Sequence, residues 1–243
     1  MKRYTLTFDN GPDPDVTPRV LDILARHGVK AHFYVLGKLI ATPEGRGCVE
    51  RTLAEGHLVA NHSYTHETPL GNDPRPDAVD QEIAATQALL DKLSGSRTRL
   101  TPRSADGDGI QLVKVDHLTP ENRVTPIFRP FGGGGVIGPH LLSSAARDHL
   151  IAKRYTCVLW TSVPRDWEDA HGWPARALAD IETQDHAVVV LHDIPNASLA
   201  QLDSFLAEAA RRGYQTTLDL PASVLPIVDG VAHASLAPIV GAV

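Results

Sequence analysis

The sequence predicts an α/β chain that closes as a seven-stranded (β/α) barrel in a single domain. Three observations lead there. Short apolar runs of strand type alternate with amphipathic runs of helical type along most of the chain, the pattern of parallel strands with helices outside them. Seven such strand runs suit a closed barrel better than an open sheet. The 243 residues are about the length one barrel needs.

Taken in order, the first strand covers 3–8 and runs out at Asp9-Asn10-Gly11-Pro12. A helix over 16–27 ends at Gly28, where a glycine C-cap is expected. A strand over 31–36, a helix over 46–55 and a strand over 57–60 follow. The last ends at Asn61-His62-Ser63-Tyr64-Thr65-His66. The helix over 78–94 carries apolar residues at three- and four-residue steps. Beyond it lie strands at 125–128, 154–160, 187–191 and 214–218, with helices at 138–150, 173–183 and 198–212, the last capped by Gly213. Residues 95–124 break this rhythm with a long polar connection rich in Gly, Ser, Pro and Asp. It reads as an insertion on the face away from the chemistry, with 110–115 able to pair as a small hairpin. The tail after 221 is expected to pack across the barrel bottom. No repeat or linker divides the chain, so 1–243 reads as one domain.

Composition narrows the function. Forty-two per cent hydrophobic and 21% charged residues are ordinary for a globular protein. A formal charge of −6 gives no footprint for nucleic acid or an anionic membrane, and basic residues gather only at Arg97, Arg99 and Arg103. Cys48 and Cys157 have no metal-type spacing and read as buried small side chains. No run of 18 apolar residues suggests a membrane span, and no secretory apolar segment precedes Arg3, so a cytoplasmic location is expected.

Asp9, His62, Arg129, Asp166 and His192 all fall just past the ends of expected strands, where barrels collect their chemistry. His62 and His66, four residues apart, form two parts of a metal-binding set or else are ordinary satisfied histidines. Asp9 is a turn former or a general base. Asp166 and His192 suit a carboxylate steadying an imidazolium that acts as general acid, or a histidine that merely ends a strand.

The motifs together resemble the polysaccharide deacetylases of the NodB-homology type, carbohydrate esterase family 4. Thr7-Phe8-Asp9-Asn10-Gly11-Pro12 resembles T-F-D-D-G-P, and His62-Ser63-Tyr64-Thr65-His66 matches H-S/T-x-x-H. Phe128-Arg129-Pro130-Phe131-Gly132 resembles R-x-P-x-G, one residue shorter. Asp166-Trp167 matches the end of D-x-x-D-W, whose first aspartate is Val163 here, and Val190-Leu191-His192 matches L-x-H. The resemblance implies a distorted (β/α)7, TIM-like barrel and a metal-dependent hydrolase of non-peptide C–N bonds that removes acetyl from an N-acetylated sugar. It implies catalytic roles for Asp9, His192, Arg129 and Asp166, with Arg129 orienting Asp9. It implies a divalent metal, zinc first, on His62, His66 and Asn10, and substrate contacts from Phe131, Gly132 and Trp167.

Asn10 stands where the family pattern has a metal-binding aspartate. Three outcomes stay open. The amide ligates weakly, Asp13 or Asp15 substitutes, or the metal is absent. Two other functions stay open with them. One is a metal-poor member that binds carbohydrate or a partner without turnover. The other is a hydrolase of a small amide, a cyclic amide or an ester.

Overall fold

The computed structural model describes residues 1–93, 97–102, 110–115 and 125–241. Its strands are β1 (Arg3–Asp9), β2 (His32–Val35), β3 (Leu58–Asn61), β4 (Arg97–Pro102), β5 (Ile110–Val115), β6 (Ile127–Phe128), β7 (Thr156–Cys157), β8 (His186–His192), β9 (Gln215–Thr216), β10 (Ile227–Val228) and β11 (Val231–Ala232). Its α-helices are α1 (Thr17–Arg26), α2 (Gly37–Ile40), α3 (Pro43–Ala54), α4 (Ala85–Leu93), α5 (Ser144–Ala152), α6 (Trp173–Thr183) and α7 (Leu202–Arg211). All seven expected strands are present. Two compact units are built from interleaved stretches. The first takes Met1–Val35, Leu39–Val59 and Trp160–Leu220, and the second takes Leu36–Lys38, Ala60–Leu159 and Pro221–Val243.

In the first unit β1 is central. One edge pairs in parallel with β8 along its whole length, from Arg3↔His186 to Asp9↔His192. The other edge pairs first with β9 and then with β2, from Thr7↔His32 to Asp9↔Tyr34. After their first residues β1 and β8 are wholly buried, as parallel strands covered on both faces must be. The two threonines of β1 are therefore satisfied internally: Thr5 Oγ1 donates to the carbonyl of Asp219 at 2.5 Å and Thr7 Oγ1 to that of Val189 at 2.8 Å. Phe8 stacks on Phe33 at 5.0 Å, and Trp173 packs on Phe205 at 5.0 Å. Each such buried ring or aliphatic side chain contributes about 1.5–3 kcal/mol before conformational entropy is subtracted. α1 buries Val20, Leu21, Ile23 and Leu24 at helical spacing and stops at Gly28, which adopts φ 64 as expected.

In the second unit Asn61 of β3 pairs in parallel with Phe128 of β6, and β6 pairs in parallel with β7. The tail joins the sheet: β10 pairs antiparallel with β7 through Ile227↔Cys157, and β10 and β11 form a hairpin. Its turn residues Asp229 and Gly230 both have positive φ, 49 and 77, as an Asp-Gly hairpin turn requires. The 110–115 segment does pair, antiparallel with β4 from Arg97↔Val115 to Pro102↔Ile110. The rest of the expected insertion lies outside the described residues.

The helix expected over 138–150 begins later, at Ser144. Ser143 caps it by accepting the N–H of Ala146 at 3.1 Å. The helix expected over 78–94 is composite: Asp80–Ala84 winds a π-helical turn that leads into α4. Both cysteines are free and buried.

Candidate active site

The candidate residues divide between the units. Asp9, Asn10, Asp166, Trp167 and His192 belong to the first, and His62, His66, Arg129, Phe131 and Gly132 to the second.

In the first unit Asp166 grips His192 twice. Its Oδ2 accepts the backbone N–H of His192 and its Oδ1 meets ring Nδ1, both at 2.8 Å. With Nδ1 donating to the carboxylate, Nε2 is the remaining nitrogen for proton exchange. Burial alone would lower the His192 pKa. The Asp166 hydrogen bond and charge, with the charges of Asp9 and Asp193, outweigh it and hold the imidazolium above its ordinary range. Asp9 is 4% exposed and is the register partner of His192. Trp167 is half-buried and meets the His192 ring edge-on at 4.8 Å.

Asp193 was not anticipated. It is buried, accepts from Thr17 Oγ1 at 2.6 Å, and has its pKa pushed up to about 6 by burial. Its carboxylate fills the space beside Gly11, where any added Cβ would lie 2.2 Å from either oxygen. Asn10 takes φ 72, a left-handed angle that asparagine tolerates. Its Oδ1 is buried without a hydrogen-bond partner among the described residues. Asp13 is occupied locally: its Oδ1 accepts the N–H groups of Asp15 and Val16, both at 2.9 Å, at the entrance to α1. Asp15 is exposed.

In the second unit His62 and His66 lie with ring centroids 5.1 Å apart. His62 Nδ1 meets the carbonyl of Arg129 at 2.9 Å, and since a carbonyl only accepts, Nδ1 is the donor. Arg129 is fully buried, and its guanidinium donates to the carbonyl of Leu159 at 3.1 Å. The Phe131 ring is buried and stacks on His66 at 3.9 Å, so this face supports an imidazole. Gly132 takes φ 128, and a Cβ there would meet Pro69 at 2.7 Å and His140 at 3.1 Å. The tight approach at this glycine is made by those two side chains.

The 62–66 loop is held from two sides. Its carbonyls accept from the first turn of α2: Gly37 N to Ser63 O at 2.9 Å, Lys38 N to Tyr64 O at 3.1 Å, and Lys38 Nζ to Thr65 O at 2.7 Å. Its N–H groups at Tyr64 and Thr65 donate to buried Glu82, at 3.0 and 2.8 Å. Asn61 locks the entry, accepting from Ser63 N at 3.0 Å and donating to the Ile83 carbonyl at 2.9 Å.

The two imidazoles of the second unit fit a divalent ion in part, since imidazole is an ordinary zinc ligand. In the first unit the buried Asn10 amide oxygen is of a kind that serves harder ions. No group of three or more His, Cys, Asp or Glu side chains able to hold a metal occurs among the described residues.

The chain is α/β, with an acid and an imidazole at adjacent strand ends in one unit and a histidine couple in the other. The polysaccharide deacetylase family model matches residues 1–109. A chitooligosaccharide deacetylase of Sinorhizobium fredii is 32% identical over 201 residues, 82% of this chain and 76% of that one. The chain belongs to the polysaccharide deacetylase family. A peptidoglycan-N-acetylglucosamine deacetylase of Listeria monocytogenes is 28% identical over 219 residues, 90% of this chain but 38% of that one. The chain thus spans little more than a third of that relative. The solved structure of a family 4 acetyl xylan esterase from Clostridium thermocellum, in complex with a cobalt ion, superposes with a TM-score of 0.63 at 26% identity, covering 89% of this chain and 87% of that one. The fold is the distorted (β/α)7 class that the sequence predicted.

Proposed function

We propose that the protein is a metal-dependent N-deacetylase of an N-acetylated sugar or sugar polymer. The observation that carries this reading is the doubly held His192 of Asp166 beside Asp9, an acid and a base at adjacent strand ends. Relatives named as peptidoglycan and chitooligosaccharide deacetylases support the substrate class.

In this reading His62 and His66 would hold the ion, and the Asn10 amide is proposed as a third donor. When bound, a divalent ion polarises the acetyl carbonyl and acidifies water. Asp9 takes the proton of the attacking water. His192 gives its Nε2 proton to the departing sugar amine, and Asp166 stabilises the imidazolium before transfer. Trp167, standing edge-on to His192, offers an aromatic wall to a sugar ring. Phe131 acts through His66, whose ring it supports.

No helix among the described residues is long and apolar enough to cross a membrane. A cytoplasmic location would direct the enzyme to nucleotide sugars or lipid-linked precursors, and cell fractionation decides that point. The reaction is tested by acetate release from short N-acetylglucosamine oligomers, with zinc or cobalt supplied. Release by the wild type and its loss in His66→Ala and His192→Ala support the proposal. No release with any supplied ion sinks it.

The second reading, a metal-poor binding protein, is favoured by one observation: asparagine stands at position 10. It requires oligomer binding without turnover.

A further inference from the structure

We propose that Glu82 is a positioning residue for the two imidazoles, setting the 62–66 loop so that His62 and His66 close on one cation. The inference rests on the metal reading above and adds a residue to it.

The loop needs an external template. Ser63 and His66 both take left-handed angles, φ 76 and 59, which side chains with a Cβ disfavour. Glu82 supplies the template on the N–H side. Four donors converge on its carboxylate: Tyr64 N and Thr65 N on Oε2, and Thr65 Oγ1 at 2.8 Å and Arg75 Nη2 at 3.0 Å on Oε1. An ionised carboxylate, which only accepts, suits four converging donors. Although burial would raise its pKa, the bonds from Thr65, Arg75 and Tyr64 together hold it below the usual range. Arg75 is fixed in turn by Asp73, with Nε bonds of 2.9 and 3.1 Å and an Nη2 bond of 2.5 Å. Glu82 sits in the π-helical turn, a rare geometry that re-aims a side chain within a helix.

Glu82→Gln tests this directly, since its amide turns one acceptor into a donor facing donors. Zinc titration of metal-stripped protein is run on wild type, Glu82→Gln and His66→Ala, with thermal unfolding alongside. The ring signals of His62 and His66 are followed by NMR in the metal-free proteins. Zinc affinity should fall about 10- to 100-fold in Glu82→Gln, as for other residues behind a ligand. The two ring signals should move while that of His27, in the first unit, stays. Unchanged affinity and unchanged ring signals in a folded Glu82→Gln overturn the proposal. If wild type and His66→Ala both fail to bind zinc, the metal reading fails, and the ring signals alone decide the role of Glu82. If Glu82→Gln does not fold, Arg75→Gln at the half-exposed partner loosens the same carboxylate and is judged by the same two readouts.

Discussion

Asp9 and His192 are register partners across the parallel β1–β8 pairing. Matched residues of neighbouring parallel strands project to the same face of a sheet. A carboxylate and an imidazole are thus fixed side by side by backbone hydrogen bonds rather than by loop conformation. The Asp9 charge is one reason His192 keeps its proton against burial.

Asp166→Asn should cost about 10²-fold or more in kcat/KM, the usual scale for losing tuned acid catalysis. It also has a directional signature. His192 must be protonated to act, and Asp166 raises its pKa. The alkaline limb of the pH–rate profile should therefore move to lower pH in the variant. A limb that stays in place would mean that another group provides the acid.

Asn10→Asp restores a charged donor. Metal affinity should rise by at least about 10-fold, since even changes behind a ligand have effects of that size. Calorimetric titration with zinc checks it. Unchanged affinity would show that this side chain does not reach the ion.

Much of this was legible beforehand. Most strands of the main sheet are dense apolar runs, so their order along the chain emerged from the sequence, and polar residues at their ends marked the candidate site. Glu82 was not legible, because a glutamate among alternating polar and apolar residues reads as the solvent face of an amphipathic helix. The π turn that accompanies its burial has no sequence signature. The carbonyl of Arg129 against His62 is equally invisible, since every residue has one. The stacking of Phe131 on His66 is also invisible in sequence, since 65 positions separate the two residues. The β10–β11 hairpin did carry a signal: Asp229-Gly230 lies between two short apolar pairs.

Asp193 should make stability fall with rising pH over a defined window. Its folded pKa of about 6 lies above its unfolded value near 4. Folding therefore favours the protonated acid. Its contribution is fully present below about pH 4, declines between about 4 and 6, and by linkage amounts to roughly 3 kcal/mol. Asp193→Asn cannot ionise and keeps an acceptor for Thr17. Urea denaturation at pH 4.5 and pH 7 should show the variant gaining on wild type at the higher pH.

Gly37→Ala should disturb the histidine loop without touching a histidine. A Cβ there would lie 2.3 Å from both Thr86 Oγ1 and a Tyr64 ring carbon. Overpacking of this kind costs about 1–3 kcal/mol. Denaturation midpoints should fall and zinc affinity with them. Unchanged values of both would mean that Tyr64 relaxes without moving the loop.

The pairing of β10 with β7 has a practical consequence for expression. Chains cut back to Leu220 would lose the strand that covers one side of β7. The bared N–H and C=O groups would then recruit other polypeptides. Such shortened forms should collect in inclusion bodies even though every proposed catalytic side chain is still encoded.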